Sequence, residues 1–101
     1  MTEPLVLPGP EGSITLAPAA LTRLVVSAAE SVDGARVRRP RRSVEVARSG
    51  DRASVSFELV VSPGATVPGL ALAVQERVGE AISTTCGLEV ERVDLTIGEI
   101  G

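Results

Sequence analysis

The chain has 101 residues, of which 44% are apolar and 23% are charged, and its formal net charge is −3. This length and composition fit one folded domain and exclude a chain that is disordered throughout. The sequence contains no His, Tyr or Lys, which removes the commonest general acid–base groups, every His-dependent triad and every Schiff-base lysine. We therefore predict a protein that binds a partner, has no cofactor and is not an enzyme.

The N-terminal segment, residues 1–11, contains three prolines and scattered polar residues. This pattern indicates a flexible tail in front of a single α+β domain over residues 12–101. The segment has neither the basic start nor the apolar run of a secretion signal, so we expect a cytoplasmic protein. Residues 12–16 alternate polar and apolar side chains and predict a short strand. A one-sided apolar stripe then predicts a helix over residues 18–32.

A cluster of arginines follows the first helix. It consists of Arg36, Arg38, Arg39, Arg41 and Arg42. Because Pro40 disfavours both helix and central strand, we predict an exposed loop here. The loop either keeps the protein in solution or binds an anionic membrane surface, nucleic-acid phosphates or an acidic protein. Only Phe57 could stack on a base, and its pattern places it in the core, so nucleic acid is the weaker of these alternatives.

The second half of the chain contains three further elements. Residues 44–46 and 53–61 alternate in polarity on either side of the turn residues 49–51, which predicts a hairpin. A second helical stripe begins after Thr66, a candidate N-cap, and ends at Gly87. The last alternating segment, about residues 89–97, predicts a final strand.

The predicted order is strand, helix, strand, strand, helix, strand. Each helix has one apolar stripe and each long strand one apolar face. These elements fit a two-layer α+β sandwich, with both helices on one face of a mostly antiparallel sheet of three or four strands. Since a chain of this size buries only roughly two-thirds of its unfolded surface, we also expect a homo-oligomer.

The remaining chemistry-bearing residues predict no catalytic or metal site. Cys86 is the only cysteine, and near the end of the second helix a buried, inert thiol is the expected role. Glu76 and Glu80 are four residues apart on a helix, and Glu89 and Glu91 are two apart on a strand. Both pairs fall on predicted solvent faces, the usual place for carboxylates, and a cation site or carboxylate dyad is the disfavoured alternative.

Taken together, three passages resemble the alkaline shock protein family of bacterial envelope stress response proteins. The first joins residues 12–16 to the first helix, and the second is the hairpin over residues 44–61. The third carries the most specific pattern, VQxxV followed by GLxVxxVxLxI, at residues 74–78 and 87–97. The likeness covers about residues 12–97, although the connection after the first helix is shorter here than in many members.

The resemblance implies a cytoplasmic, non-enzymatic protein linked to cell-envelope stress. It also implies self-association and a membrane-anchored protein partner that brings the chain close to the membrane. The leading hypothesis is therefore a scaffold or adaptor near the cytoplasmic side of the membrane. A nucleic-acid-binding module that uses the arginine cluster is the main alternative, and a ligand-sensing domain is a third.

Overall fold

A computed structural model describes residues 4–101, which form two β-sheets and three helices. The strands are β1 (Leu5–Gly9), β2 (Gly12–Leu16), β3 (Ala35–Arg38), β4 (Glu45–Ser49), β5 (Arg52–Val61) and β6 (Glu89–Ile100). The helices are α1 (Pro18–Glu30), α2 (Pro40–Ser43) and α3 (Val67–Cys86). This arrangement confirms the α+β class that the periodicity predicted.

The N-terminal segment differs from the predicted flexible tail. β1 pairs with β2 in an antiparallel hairpin, in which Leu5 lies opposite Leu16 and Pro8 opposite Ser13. Pro8 is tolerated because both strands of a two-stranded ribbon have a free outer edge, where a missing N–H costs nothing. The Leu5 side chain is buried in the core and anchors the hairpin. Residues 1–3 of the predicted tail lie outside the described residues.

The main sheet is built around β5. β3 and β4 lie end to end along one side of β5, both antiparallel to it, and β6 runs parallel to β5 along the other side. The parallel pair results from the connection, because α3 carries the chain back across the sheet before β6 begins. β2, which we predicted in this sheet, pairs with β1 instead.

The core lies between the main sheet and the two long helices. Every second residue of β5 from Ala53 to Val61 is buried, as the strict alternation predicted. α1 contributes Leu21, Val25 and Ala29, and α3 contributes Leu70, Val74, Val78, Ile82 and Cys86. The other face of the sheet carries no helix and is lined mainly by polar side chains.

Glycines with positive φ end two of these elements. Gly50 (φ 64°) lies in the turn between the paired residues Ser49 and Arg52, so β4 and β5 form the predicted hairpin. Gly87 (φ 69°) ends α3, and its N–H donates to the Ser83 carbonyl at 3.0 Å. Both positions favour glycine because a side chain strains the left-handed backbone.

Candidate functional site

The arginine cluster begins within a strand. Ala35 and Val37 of β3 are buried against the core, so the alternation turns Arg36 and Arg38 to the face of the sheet that no helix covers. The register places Arg36 opposite Val60 of β5. The prediction of a loop over residues 36–42 was therefore wrong. Its first half lies in β3, because the alternation of this strand outweighs its charge, and Pro40 begins the short helix α2, whose first turn tolerates a proline.

Arg38 differs from the rest of the cluster because it is paired. Its Nη1 lies 3.1 Å from Glu58 Oε2 and 3.5 Å from the carbonyl oxygen of Gly98. The side chain therefore connects β3, β5 and β6 on the open face of the sheet. Since its charge is engaged within the domain, Arg38 is less available to a partner than its neighbours are.

The other half of the cluster forms a short, ordered projection, which we call the arginine knuckle (residues 39–42). Arg39 has a left-handed backbone (φ 47°), and Pro40 begins the single turn of α2. The backbone N–H groups of Arg42 and Ser43 each donate to the Arg39 carbonyl at 2.8 Å. The Ser43 hydroxyl donates to the Arg38 carbonyl at 2.5 Å. These bonds hold the turn in one conformation.

The side chains of the knuckle point away from the domain. Arg39, Arg41 and Arg42 are all exposed, and none of them forms an ion pair with the described residues. One short turn thus presents three exposed guanidinium groups. Because each guanidinium offers a planar fork of N–H donors, the arrangement suits carboxylates or phosphates.

An apolar groove borders the knuckle on the side of α1. It has a volume of about 470 Å³. Its lining residues are Pro18, Ala19, Thr22, Arg23, Val26, Pro40 and Arg41. An anionic partner that docks on the knuckle therefore has apolar surface within reach as well as charge.

The opposite edge of the main sheet carries the reverse charge. A shallow groove of about 770 Å³ runs between α3 and β6, and we call it the acidic groove. Its carboxylates are Glu76, Glu80, Glu89, Glu91 and Asp94, against the single cation Arg92. The two carboxylate pairs that sequence analysis treated separately therefore meet in one place. No group of residues in the described chain has the arrangement of a metal site.

Two contacts neutralise part of the acidic groove. Arg92 Nε lies 2.9 Å from Asp94 Oδ2, and Arg52 Nε lies 3.9 Å from Glu89 Oε2. The hydrogen bond and the charge of Asp94 raise the pKa of Arg92, which keeps the guanidinium charged. Glu76, Glu80 and Glu91 have no ion-pair partner among the described residues, so the groove keeps a net negative charge.

Cys86 lies on the buried face of α3, at the C-terminal end of the helix. The residue is buried, and burial raises the pKa of its thiol. Because the thiolate is the reactive form, a raised pKa suppresses nucleophilic chemistry at neutral pH. This position agrees with the inert, buried thiol that the sequence predicted.

Comparison with known proteins decides the family. The model of the alkaline shock protein 23 family, which has a cell envelope-related function, matches residues 7–101. This chain belongs to that family. The match confirms the resemblance seen in the sequence and extends it to residues 7–11 and 98–101. No curated protein sequence is similar enough to this chain to count as a relative.

Solved structures of the MamM C-terminal domain (CTD) share the fold. One covers 81% of this chain and 98% of its own chain, at 23% identity and a TM-score of 0.53. A copper form covers 80% and 95%, at 22% identity and a TM-score of 0.53. A cadmium form covers 80% and 94%, at 23% identity and the same TM-score of 0.53. At this identity the likeness shows the fold alone.

None of the helices in residues 4–101 is both long enough and apolar enough to cross a bilayer.

The acidic groove was not predicted from the sequence, although part of its pattern was visible there. The spacing of four between Glu76 and Glu80 put both on one face of α3, but only the tertiary structure shows that β6 lies beside that face.

Proposed function

We propose that this chain is a non-enzymatic envelope stress response protein that works as a self-associating scaffold or adaptor near the cytoplasmic side of the membrane. Membership of a family with a cell envelope-related function supports the envelope role. The arginine knuckle supports the binding role, since its three guanidinium groups are exposed on one ordered turn and none forms an ion pair with residues 4–101. Because the backbone of the turn is already ordered, less conformational entropy is lost when a partner binds than with a flexible loop.

The chemistry of the residues supports a protein without catalytic activity. The sequence lacks His, Tyr and Lys, so general acid–base work would fall to carboxylates and arginines. The only thiol is buried with a raised pKa. The carboxylates of the acidic groove lie on an open, solvated surface that does not enclose a substrate.

The knuckle favours a partner that presents carboxylates or phosphates. A membrane-anchored protein with an acidic cytoplasmic segment offers carboxylates, and an anionic lipid surface offers phosphates. Either contact would place the domain beside the membrane and would bring several copies together. Such crowding favours weak contacts between copies, because neighbours on one surface meet at a high effective concentration.

The proposal is tested by following where the protein lies in bacterial cells and what co-purifies with it. We compare the natural chain with the double variant Arg41→Ser, Arg42→Ser. A matched control, Arg48→Ser, Arg77→Ser, loses the same charge outside both the knuckle and the acidic groove. We expect the knuckle variant alone to lose enrichment at the cell periphery and its envelope partners. Equal behaviour of all three proteins would contradict the binding role of the knuckle.

Nucleic-acid binding is the second candidate, and the same exposed arginines favour it. Phosphate contacts release counterions, so binding would weaken steeply as salt rises. The test is a gel-shift titration with single- and double-stranded probes at about 50 mM salt, where phosphate contacts are strong. Absence of any shift would remove this candidate. A shift that the knuckle variant loses and the matched control keeps would support it.

A further inference from the structure

The two charged surfaces lie on opposite edges of one sheet. The knuckle joins β3 to β4 on one side of the central strand β5, and the acidic groove lies beyond β6 on the other side. One copy cannot bring its own knuckle to its own groove, because the sheet separates them. A second copy can present either surface to the first.

From this arrangement we propose that the arginine knuckle of one copy docks in the acidic groove of a second copy. The inference rests on the proposed self-association and names the contact that produces it. Arg39, Arg41 and Arg42 supply the positive charge, and Glu76, Glu80 and Glu91 supply the negative charge. All six side chains are exposed, and none forms an ion pair within the described chain.

The shape of the groove suits a projecting turn. Its floor contains Gly79, whose missing side chain leaves open space, and the partly buried Val90 and Val93. A methyl group at Gly79 would come no closer than 4.0 Å to the nearest atom, the Val90 Cγ1. The arginine stems can therefore lie on an apolar floor while their guanidinium groups reach the carboxylates at the rim.

The proposed contact joins two different surfaces, which makes it heterologous. After docking, the second copy still offers a free knuckle and the first still offers a free groove. The contact therefore repeats from copy to copy and gives a ring or an open chain, depending on the rotation between neighbours. It also explains how a chain with a net charge of −3 can attract its own kind, since separated patches of opposite sign steer association.

The test exchanges the charges of the two surfaces. In this test the knuckle variant carries Arg41→Glu and Arg42→Glu instead of the serine substitutions above. The groove variant carries Glu76→Arg and Glu80→Arg. In a solution of either variant alone, the knuckle and the groove carry charge of the same sign, so every contact is repulsive. In an equimolar mixture, both kinds of contact between unlike variants are again complementary. Sedimentation at low salt therefore distinguishes this specific contact from non-specific association.

We expect the natural chain to associate, each variant alone to associate about tenfold or more weakly, and the mixture to recover association, as close charge pairs at interfaces require. A control with Glu11→Arg and Asp33→Arg, two exposed acids outside the groove, should associate like the natural chain. Circular dichroism establishes that all variants are folded.

Two outcomes would overturn the inference while leaving the proposed scaffold role in place. Either the variants alone associate like the natural chain, or the natural chain associates and the mixture does not recover. If the knuckle variant loses binding to vesicles of anionic lipid but keeps its self-association, the knuckle is a membrane contact and the inference fails. A natural chain that stays monomeric at every concentration would overturn both this contact and the proposed self-association.

Discussion

Arg38 of β3 and Glu58 of β5 lie directly opposite each other in the antiparallel ladder, with 3.1 Å between Arg38 Nη1 and Glu58 Oε2. The Glu58 carboxylate lies over Gly98 of β6, in space that any side chain at position 98 would occupy. About a third of each charged side chain is exposed (35% and 31%), so solvent weakens the pair. The contact therefore orders the open face of the sheet more than it stabilises the fold.

Gly98→Ala is expected to lower the free energy of unfolding by about 1 kcal/mol, because the new methyl group displaces the Glu58 carboxylate from Arg38. Urea denaturation followed by circular dichroism measures the change. The same substitution in a Glu58→Ala background should cost much less, since the displaced group is gone. Equal costs in both backgrounds would show that the strain lies elsewhere.

Alanine substitution of two glycines, one inside α3 and one directly after it, should change the stability of the protein in opposite directions. Gly79 lies inside the helix with room for a methyl group, so Gly79→Ala is expected to stabilise the protein by roughly 1 kcal/mol. Gly87 has φ of 69°, so Gly87→Ala is expected to destabilise it by about 1 kcal/mol. Thermal unfolding compares the two. Shifts of the same sign would contradict the backbone argument.

Leu59 and Leu72 allow the same substitution to be compared at a buried and at an exposed position. Leu59 of β5 is fully buried (0% exposed), and Leu72 of α3 is 57% exposed. Leu59→Ala should cost roughly 3 kcal/mol of unfolding free energy, because it leaves a cavity among aliphatic neighbours. Leu72→Ala should change stability by less than about 0.5 kcal/mol. Similar losses at both sites would mean that Leu72 is covered, for example by a second copy.

The pH dependence of stability above neutral pH should report on Cys86. Burial raises the pKa of the Cys86 thiol in the folded state above its ordinary value, so the unfolded state loses the thiol proton first. The stabilising effect is therefore complete below about pH 9 and is lost as the pH rises through the folded pKa.

No Lys or Tyr is present to titrate in the same pH range, so neither residue type adds to the pH dependence of stability there. Urea midpoints between about pH 8 and pH 11 should fall for the natural chain. For Cys86→Ala they should stay nearly level. A parallel decline in both proteins would assign the effect to another group.

Much of the fold could be predicted from periodicity. β5 alternates from Ala53 to Leu59 because one face meets the helices and the other is more exposed, so the strand could be predicted, although Val60 on the second face is also buried. The stripes of α1 and α3 were equally clear, and Gly87 marked the end of α3. These elements are governed by local spacing, which a single sequence displays in full.

The rest depended on contacts that local spacing does not display. Leu5 is buried by residues distant in sequence, so a proline-rich segment that looks mobile forms a hairpin. In β3, only Ala35 and Val37 signal a strand, and the charge of Arg36 and Arg38 obscured them. The acidic groove likewise exists only because β6 lies beside the polar face of α3.

β6 leaves the outer edge of the sheet open, since among the described residues it pairs only with β5. An open edge of this length is a template for aggregation unless the chain blocks it. Here the pairing with β5 shifts register twice along the strand, and Gln75 Nε2 donates to the Val93 carbonyl at 3.0 Å. Charged side chains follow along the same strand. These features discourage the addition of a strand from another molecule at this edge, and with it fibril growth.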